Sequence, residues 1–69
     1  MNTNKKLGKI IQKRRLELGL SQEKLGQISK LHRTYISLLE RGLRSPTITT
    51  TIKVARALNI NISELLKGL

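Results

Sequence analysis

The chain has 69 residues, no cysteine and one histidine, and its 14 lysines and arginines outweigh four glutamates to give a net charge of +10. A chain of this length supports one small domain, and the lack of cysteine excludes disulfides and thiolate metal sites. The charge indicates a polyanionic partner, and nucleic acid is the first choice because a single aromatic residue disfavours a membrane surface.

The first predicted helix begins at about Thr3 or Lys6 and runs to Leu18, after which Gly19 caps its C-terminus. One face of this helix is apolar and the other sides are charged. The residues of the apolar face are Leu7, Ile10, Ile11 and Leu18. Residues 1–5 are predicted to form a disordered basic tip, with contact to a phosphate backbone as the alternative.

The second predicted helix follows Ser21, which is placed as its N-cap, and runs to about Ser29. Glu23 lies in the first turn, where the positive end of the helix dipole favours a negative charge. Gly26 lies mid-helix, where glycine costs up to about 1 kcal/mol relative to alanine, and it indicates close approach by another helix. The residues predicted to point inward are Leu25, Ile28 and, in the turn that follows, Leu31.

The third predicted helix spans about Arg33 to Arg41, with His32 near its N-cap and Gly42 after its end. At about 100° per residue, its two sides differ in character. The inner side carries Ile36, Leu39 and Glu40. The outer side carries Arg33, Thr34, Ser37, Leu38 and Arg41, which makes it the candidate functional face.

Glu40 is an acidic residue on the inner side of the third helix. Arg14 and Arg15 both border the apolar face of the first helix. Because a charge taken out of water is costly unless paired, one of these arginines is predicted to pair with Glu40 and so to hold the fold together. The spacing alone leaves the choice between them open.

A loop over residues 42–46 follows, and Pro46 helps to end it because proline biases Ser45 away from helical geometry. A fourth helix is predicted from Thr47 or Ile48 to Leu58, with Ile48, Ile52, Ala55 and Leu58 inward. Asn61 and Glu64 fit a capping box that opens a last short helix with Ile62, Leu65 and Leu66. The sequence therefore predicts an all-α fold, five helices in one compact domain over residues 1–69.

Residues 7–67 resemble the helix-turn-helix domain of lambdoid phage repressors and Cro proteins, the XRE family. The matching pattern is Arg15, Leu18-Gly19-Leu20-Ser21-Gln22-Glu23, Leu25, Ile36-Ser37, Leu39-Glu40-Arg41-Gly42, Pro46 and Ala55-Arg56-Ala57-Leu58. Residues 32–42 are particularly similar to restriction-modification controller proteins. The resemblance implies a helix-turn-helix at about 21–41, a dimerisation region at about 47–69, and a sequence-specific transcription regulator of double-stranded DNA.

The resemblance also implies a role for each residue of the site. The helix from Arg33 would lie in the major groove and the helix from Gln22 across the backbone. Base-reading roles fall on Arg33, Thr34, Tyr35, Ser37 and Leu38, with a phosphate contact as an equal alternative for Tyr35. Phosphate contacts fall on Gln22, Arg41, Arg44 and Ser45. Family members pair the arginine that corresponds to Arg15 with the glutamate that corresponds to Glu40.

One such module reads too few base pairs for tight binding, so a homodimer is predicted on a palindromic operator with half-sites about 34 Å or a multiple apart. Family analogy gives Ile60, Ile62 and Leu66 as interface candidates, with a place in the monomer core as the alternative. The chain departs from the family at Lys30 and Gly26, where the usual residues are glycine and alanine. Lys30 therefore predicts either a left-handed lysine or an altered turn.

Enzymatic activity is not expected, because the chain has one histidine, no cysteine and no aspartate for general-base, thiol or paired-carboxylate chemistry. A protein-interaction module of the antitoxin type is the alternative function. RNA polymerase is a possible further partner through Glu23 or its neighbours. No cofactor, metal or small-molecule effector is indicated, and the lack of a signal or membrane-spanning segment predicts a cytoplasmic protein.

Overall fold

The computed structural model describes residues 2–67 and 69, and within them it contains five α-helices and no strand. In chain order the helices are α1 (Thr3–Glu17), α2 (Gln22–Ser29), α3 (Arg33–Glu40), α4 (Ile48–Ala57) and α5 (Ile62–Leu66). The predicted all-α fold of five helices is confirmed. None of these helices is both long enough and apolar enough to cross a membrane in the part of the chain that the structure describes.

Side chains that bond to the first backbone N–H groups set most of the helix starts. The Asn2 side chain accepts hydrogen bonds from the N–H groups of Asn4 and Lys5, so α1 begins at Thr3, the earlier of the two predicted starts. The predicted disordered tip is therefore wrong for residues 2–5, and Met1 lies outside the described residues. The predicted capping box is also wrong in part, because Asn61 precedes α5 without a side-chain cap bond.

Three helices end one residue earlier than predicted. The residues predicted to be the last in these helices are instead their C-caps: Leu18, Arg41 and Leu58. At the end of α2, Lys30 has φ 60° and ψ 39°, so the chain keeps the left-handed turn with a lysine in place of glycine. That conformation lets the Leu31 N–H donate to the Gly26 carbonyl at 2.8 Å and close the turn.

The core lies between the five helices, where α3 packs against α1 and α2, α4 packs against α2, and α5 packs against α1 and α4. Its buried apolar residues are Leu7, Ile11, Leu25, Ile36, Leu39, Val54, Ala55, Leu58 and Leu65. Three residues predicted to point inward are instead exposed: Leu18 by 39%, Ile28 by 47% and Ile48 by 69%. Leu18 lies beyond the last helical residue of α1, and Ile48 is the first residue of α4, so neither has a full helical turn to hold it inward.

Two polar residues occupy inward positions that the sequence pattern assigned to isoleucines. Ser29 is buried in place of Ile28, and its hydroxyl donates to the Leu25 carbonyl at 2.7 Å. Thr51 is buried in α4, and its hydroxyl donates to the Thr47 carbonyl at 2.8 Å. Burial of a hydroxyl costs little once it is hydrogen-bonded, so each helix can rotate to bury its smaller, closer-packing side.

Two glycines within helices bring backbones together. A Cβ on Gly8 would collide with the carbonyl groups of Leu39 and Glu40, so α1 crosses the end of α3 in direct backbone contact. At Gly26 a Cβ would meet the Leu31 carbonyl oxygen at 2.5 Å. The predicted close approach at Gly26 exists, but its main neighbour is the turn backbone and not another helix. The contact at Gly8 was not predicted, although Gly8 also lies in the middle of a helix.

Candidate nucleic-acid interface

The two sides of α3 differ in burial as the helical pattern predicted. Ile36, Leu39 and Glu40 are buried. Arg33 and Thr34 are exposed at the N-terminal end of the helix. The other three residues predicted to read bases, Tyr35, Ser37 and Leu38, are half-buried, and Tyr35 packs against the core. Arg33 and Thr34 are therefore the predicted base-readers with the most freedom to contact a ligand.

His32 supplies the cap that begins this exposed end. Its Nδ1 accepts a hydrogen bond from the Thr34 N–H at 3.0 Å, and the residue has extended backbone geometry with φ −70° and ψ 143°. Histidine is an uncommon cap, but its ring nitrogen here does the work that serine or asparagine oxygens do in other helices. The start of α3, and with it the direction of Arg33, depends on this hydrogen bond.

A buried network connects the first three helices beneath the site. Arg15 makes a two-pronged contact with Glu40, with Nε 2.6 Å from Oε2 and Nη2 3.0 Å from Oε1. The remaining Nη1 donates to the Leu20 carbonyl at 2.8 Å. The side chain of Glu40 is only 2% exposed, so nearly all its hydration is replaced by these donors. Arg14 instead donates to the Leu58 carbonyl at 3.0 Å, so Arg15 is the arginine that meets Glu40.

Gln22 joins this network from the first turn of α2. Its side-chain Nε2 donates to Glu40 Oε1 at 3.1 Å, and the residue is half-buried. A primary amide carries two N–H donors, so the bond to Glu40 leaves one available. The network thus fixes the direction of the amide that the sequence resemblance assigns to a phosphate contact.

Arg33 is not free in this structure. Its Nη1 lies 3.2 Å from Glu23 Oε2, which joins the start of α3 to the first turn of α2. The two side chains are 66% and 60% exposed, respectively. Ion pairs at such exposure contribute about 0–1 kcal/mol, so this one orients Arg33 without locking it.

The predicted phosphate contacts after α3 lie together along the chain. Arg41, Arg44 and Ser45 are all exposed, on the C-cap of α3 and the loop that follows it. Lys5 was predicted only as part of residues 1–5, for which contact with a phosphate backbone was the alternative to disorder. Its backbone and side chain pack directly against Gly42, which brings a further exposed cation to the same end of α3. Its position beside α3 was not predicted.

The three predicted interface residues differ in exposure. Ile60 and Ile62 are half-buried and pack against the core. Leu66 is 39% exposed, whereas its neighbour Leu65 is fully buried. Leu66 is thus the interface candidate with most surface to offer, and the other two already contribute to the fold of the monomer.

Within residues 2–67 and 69, no group of three or more histidine, cysteine, aspartate or glutamate side chains is arranged to hold a metal ion. Over the same residues, every buried side-chain nitrogen and oxygen has a hydrogen-bond partner. The polar groups with unused hydrogen-bonding capacity therefore lie on the surface, where a large polar ligand can reach them.

Comparison with known proteins agrees with this geometry. The helix-turn-helix family matches residues 11–65. Control protein C.SmaI of Serratia marcescens is 53% identical over 47 residues, which cover 68% of this chain and 56% of that protein. Control protein C.BamHI of Bacillus amyloliquefaciens is 41% identical over 58 residues, 84% of this chain and 72% of that protein. The crystal structure of the restriction-modification controller protein C.AhdI from Aeromonas hydrophila superposes with a TM-score of 0.88 at 39% identity, covering 90% of this chain and 94% of that chain.

Proposed function

We propose that this chain, which belongs to the helix-turn-helix family, regulates transcription. It would do so by binding a specific double-stranded DNA operator as a homodimer. The observation that supports this most directly is the division of α3, which buries Ile36 and Leu39 and exposes Arg33 and Thr34. An α-helix presented in this way fits the major groove of B-form DNA. Restriction-modification control and phage-type repression are the two biological settings that the relatives suggest.

Arg33 would read a base at small cost to the free protein. Its exposed pair with Glu23, 3.2 Å long, is worth at most about 1 kcal/mol. A two-pronged contact with guanine O6 and N7 contributes about 1–3 kcal/mol of discrimination against other bases. The guanine contact therefore outweighs the ion pair, and Glu23 keeps the arginine near its working position before DNA arrives. Thr34 would supply its hydroxyl or methyl group beside it.

Contacts with DNA phosphates near both ends of α3 would fix the position of that helix in the major groove. Gln22 would use its second amide hydrogen, assisted by the positive end of the α2 dipole. Arg41, Arg44 and Ser45 would contact the backbone beyond the other end of α3. The half-buried residues Tyr35, Ser37 and Leu38 would act as secondary contacts of the reading face, Leu38 toward a thymine methyl group.

Dimerisation would supply the second half-site that tight binding needs. We propose that Leu66, with the exposed edges of Ile60 and Ile62, meets the same surface of a second copy about a twofold axis. The twofold symmetry would place the two α3 helices about 34 Å or a multiple of it apart on a palindromic operator. The same proposal includes two further predictions. Glu23 would contact RNA polymerase, and the protein would act in the cytoplasm, where such an operator is found.

Selection of bound sequences from a random DNA pool tests the proposal first, since we expect a palindrome with a defined half-site. On that operator, Arg33→Ala should cost about 1–3 kcal/mol and relax preference at one base pair of each half-site. Arg41→Ala is the matched control, because loss of a phosphate contact weakens binding to all sequences and lowers the salt slope by about 1. Unchanged sequence preference in Arg33→Ala, or selection of no common sequence, would contradict α3 as the reading helix.

A further inference from the structure

A groove of about 330 Å³ lies between the C-terminal end of α2 and the last turns of α4, outside the set of residues assigned to DNA. Its lining includes the apolar residues Ile28 and Ala57 and the basic residues Lys30, Lys53 and Arg56. Ile28 is the isoleucine of α2 that the helical pattern placed inward and the structure leaves 47% exposed. The groove thus combines an apolar floor with three cations.

The basic residues of the groove have no acidic partner in the part of the chain that the structure describes. Lys30, Lys53 and Arg56 make no ion pair with any carboxylate of residues 2–67 and 69, and no carboxylate lines the groove. Three of the four glutamates are engaged with arginines elsewhere, at Glu17, Glu23 and Glu40. The fourth, Glu64, lines a neighbouring cavity with Arg56 but forms no ion pair with it, so the positive charge of Lys30 and Lys53 in particular is unbalanced from within.

The backbone at Lys30 supplies an independent observation. The residue has φ 60°, a left-handed conformation that glycine adopts freely and that costs a residue with a Cβ. A lysine that keeps such a conformation gives up stability that glycine would restore. Strain of this kind commonly marks a side chain that is needed for function. Here the side chain in question is a cation on the edge of the groove.

We propose that this groove binds an acidic segment of a partner protein, which places an aliphatic side chain against Ile28 and Ala57 and carboxylates beside Lys30, Lys53 and Arg56. DNA backbone is a poorer occupant, because it offers phosphates but no aliphatic group for the apolar floor. A second copy of this chain is poorer still, because it has only four glutamates to offer and three of them are already engaged with arginines. Lys30 also lines a neighbouring cavity beside Arg33, but no residue of the groove belongs to the set assigned to DNA, so the proposal does not depend on the operator proposal.

The test uses the full-length protein and a short synthetic peptide that has glutamates on both sides of one leucine. Titration is followed by ¹H–¹⁵N NMR, and we expect saturable shifts confined to the residues around Ile28, Lys30 and Lys53 to Ala57. A peptide with serine in place of leucine should bind about tenfold more weakly, the effect of losing one buried aliphatic side chain. Equal affinity for the two peptides would overturn the proposal, because attraction would then rest on charge alone.

Matched variants locate the site. Ile28→Ser should weaken binding of the leucine peptide about tenfold. Ile48→Ser is the control and should leave the peptide's affinity unchanged, because Ile48 is even more exposed but lies outside the groove. Lys30→Gly should raise the melting temperature of the protein and weaken its binding of the peptide. A lysine with only a structural role would not give this combination. Unchanged peptide binding in Ile28→Ser and Lys30→Gly would overturn the proposal.

Competition identifies the occupant. A short DNA duplex of unrelated sequence should leave the peptide bound at the groove, since the two would use different surfaces. If the duplex displaces the peptide and produces the same shifts at Ile28 and Lys53, the groove is a DNA backbone site and the proposal is wrong. Shifts at the groove that grow with protein concentration alone would assign it to self-association and overturn the proposal in the same way.

Discussion

The α2–α3 half of the molecule and the α4–α5 half are held in place by different forces. The first half is held through a buried carboxylate, Glu40, that accepts three hydrogen bonds from Arg15 and Gln22. The second half is held largely by aliphatic packing, with Leu58 and Leu65 fully buried. Hydrogen bonds fix direction, whereas aliphatic contacts are non-directional. The half that we propose aims side chains at DNA is thus the half that is fixed by directional bonds.

The outer surfaces of the two halves differ in the same sense. The α2–α3 half presents an exposed ion pair and, at the loop beyond α3, exposed cations. Outside the basic groove, the α4–α5 half presents exposed aliphatic residues, Ile48 and Leu66 among them. Charged groups suit a hydrated polyanion and aliphatic groups suit a protein surface. This contrast is what the proposed division into a reading half and a dimerising half depends on.

Loss of one partner of the buried ion pair between Arg15 and Glu40 should have the largest effect on the stability of the α2–α3 half. Arg15→Met leaves Glu40 charged and buried, which should lower the free energy of unfolding by about 3–5 kcal/mol in urea denaturation. The double variant Arg15→Met and Glu40→Met should recover most of that loss. Arg14→Met is the control, and it should cost only about 1 kcal/mol because Arg14 makes one hydrogen bond at a half-exposed site. Equal costs at the two arginines would contradict the role given to Arg15.

Two adjacent leucines test the second half. Leu65→Ala should cost about 2–5 kcal/mol of unfolding free energy, because it leaves a cavity beneath α5. Leu66→Ala should change the stability of the monomer by less than about 0.5 kcal/mol, since it is a surface substitution. Sedimentation equilibrium should nevertheless show that Leu66→Ala weakens the dimer. A Leu66→Ala protein that dimerises like the wild type would remove Leu66 from the interface.

The backbone contact between α1 and α3 should be sensitive to a single methyl group. In Gly8→Ala the new Cβ meets the Leu39 and Glu40 carbonyls, and the clash should cost about 1–3 kcal/mol by thermal or urea unfolding. Gly19→Ala offers a comparison with no steric neighbour, where only the left-handed φ of 70° opposes the change, at about 1 kcal/mol. A Gly8→Ala protein as stable as the wild type would mean that α1 can shift away from α3.

Variants of two helix caps distinguish an effect on protein stability from an effect on DNA recognition. Their expected effects are the smallest of these predictions. His32→Ala and Thr47→Ala remove the caps of α3 and α4 and should each cost about 0.5–2 kcal/mol of stability. Only His32→Ala should also weaken operator binding, measured by fluorescence anisotropy, because it loosens the end of α3 that carries Arg33. Equal losses of DNA affinity in the two variants would indicate a general effect of stability instead.

Several features of the fold were predictable because they depend on local chemistry. The period of apolar residues and the caps at Ser21 and His32 are written within a few residues of each helix start. The inward position of Glu40 on α3 follows from helical spacing alone. The need for an arginine partner follows from the cost of burying a charge.

The errors occurred where helical spacing allowed two answers. In α2 and α4 an isoleucine and a hydroxyl residue compete for the inner face, and hydrophobicity alone favours Ile28 and Ile48. The structure buries Ser29 and Thr51 because their hydroxyls bond to carbonyls of their own helix, which removes the cost of burial. That outcome depends on how closely neighbouring helices pack, which the sequence of one helix does not contain.

By itself the sequence determined the number and order of the helices, the caps at Ser21 and His32 and the side of α3 that faces outward, and its resemblance to a family predicted the pairing of Arg15 with Glu40. Only the tertiary structure decided that Gln22 joins that pair, that α1 touches α3 through Gly8, and that Ile28 faces a basic groove. Apart from that pairing, the first group rests on interactions between residues close in sequence. The second depends on contacts between residues far apart in the chain, as Arg15 and Glu40 are at a separation of 25 positions, and these contacts exist only once the helices have packed.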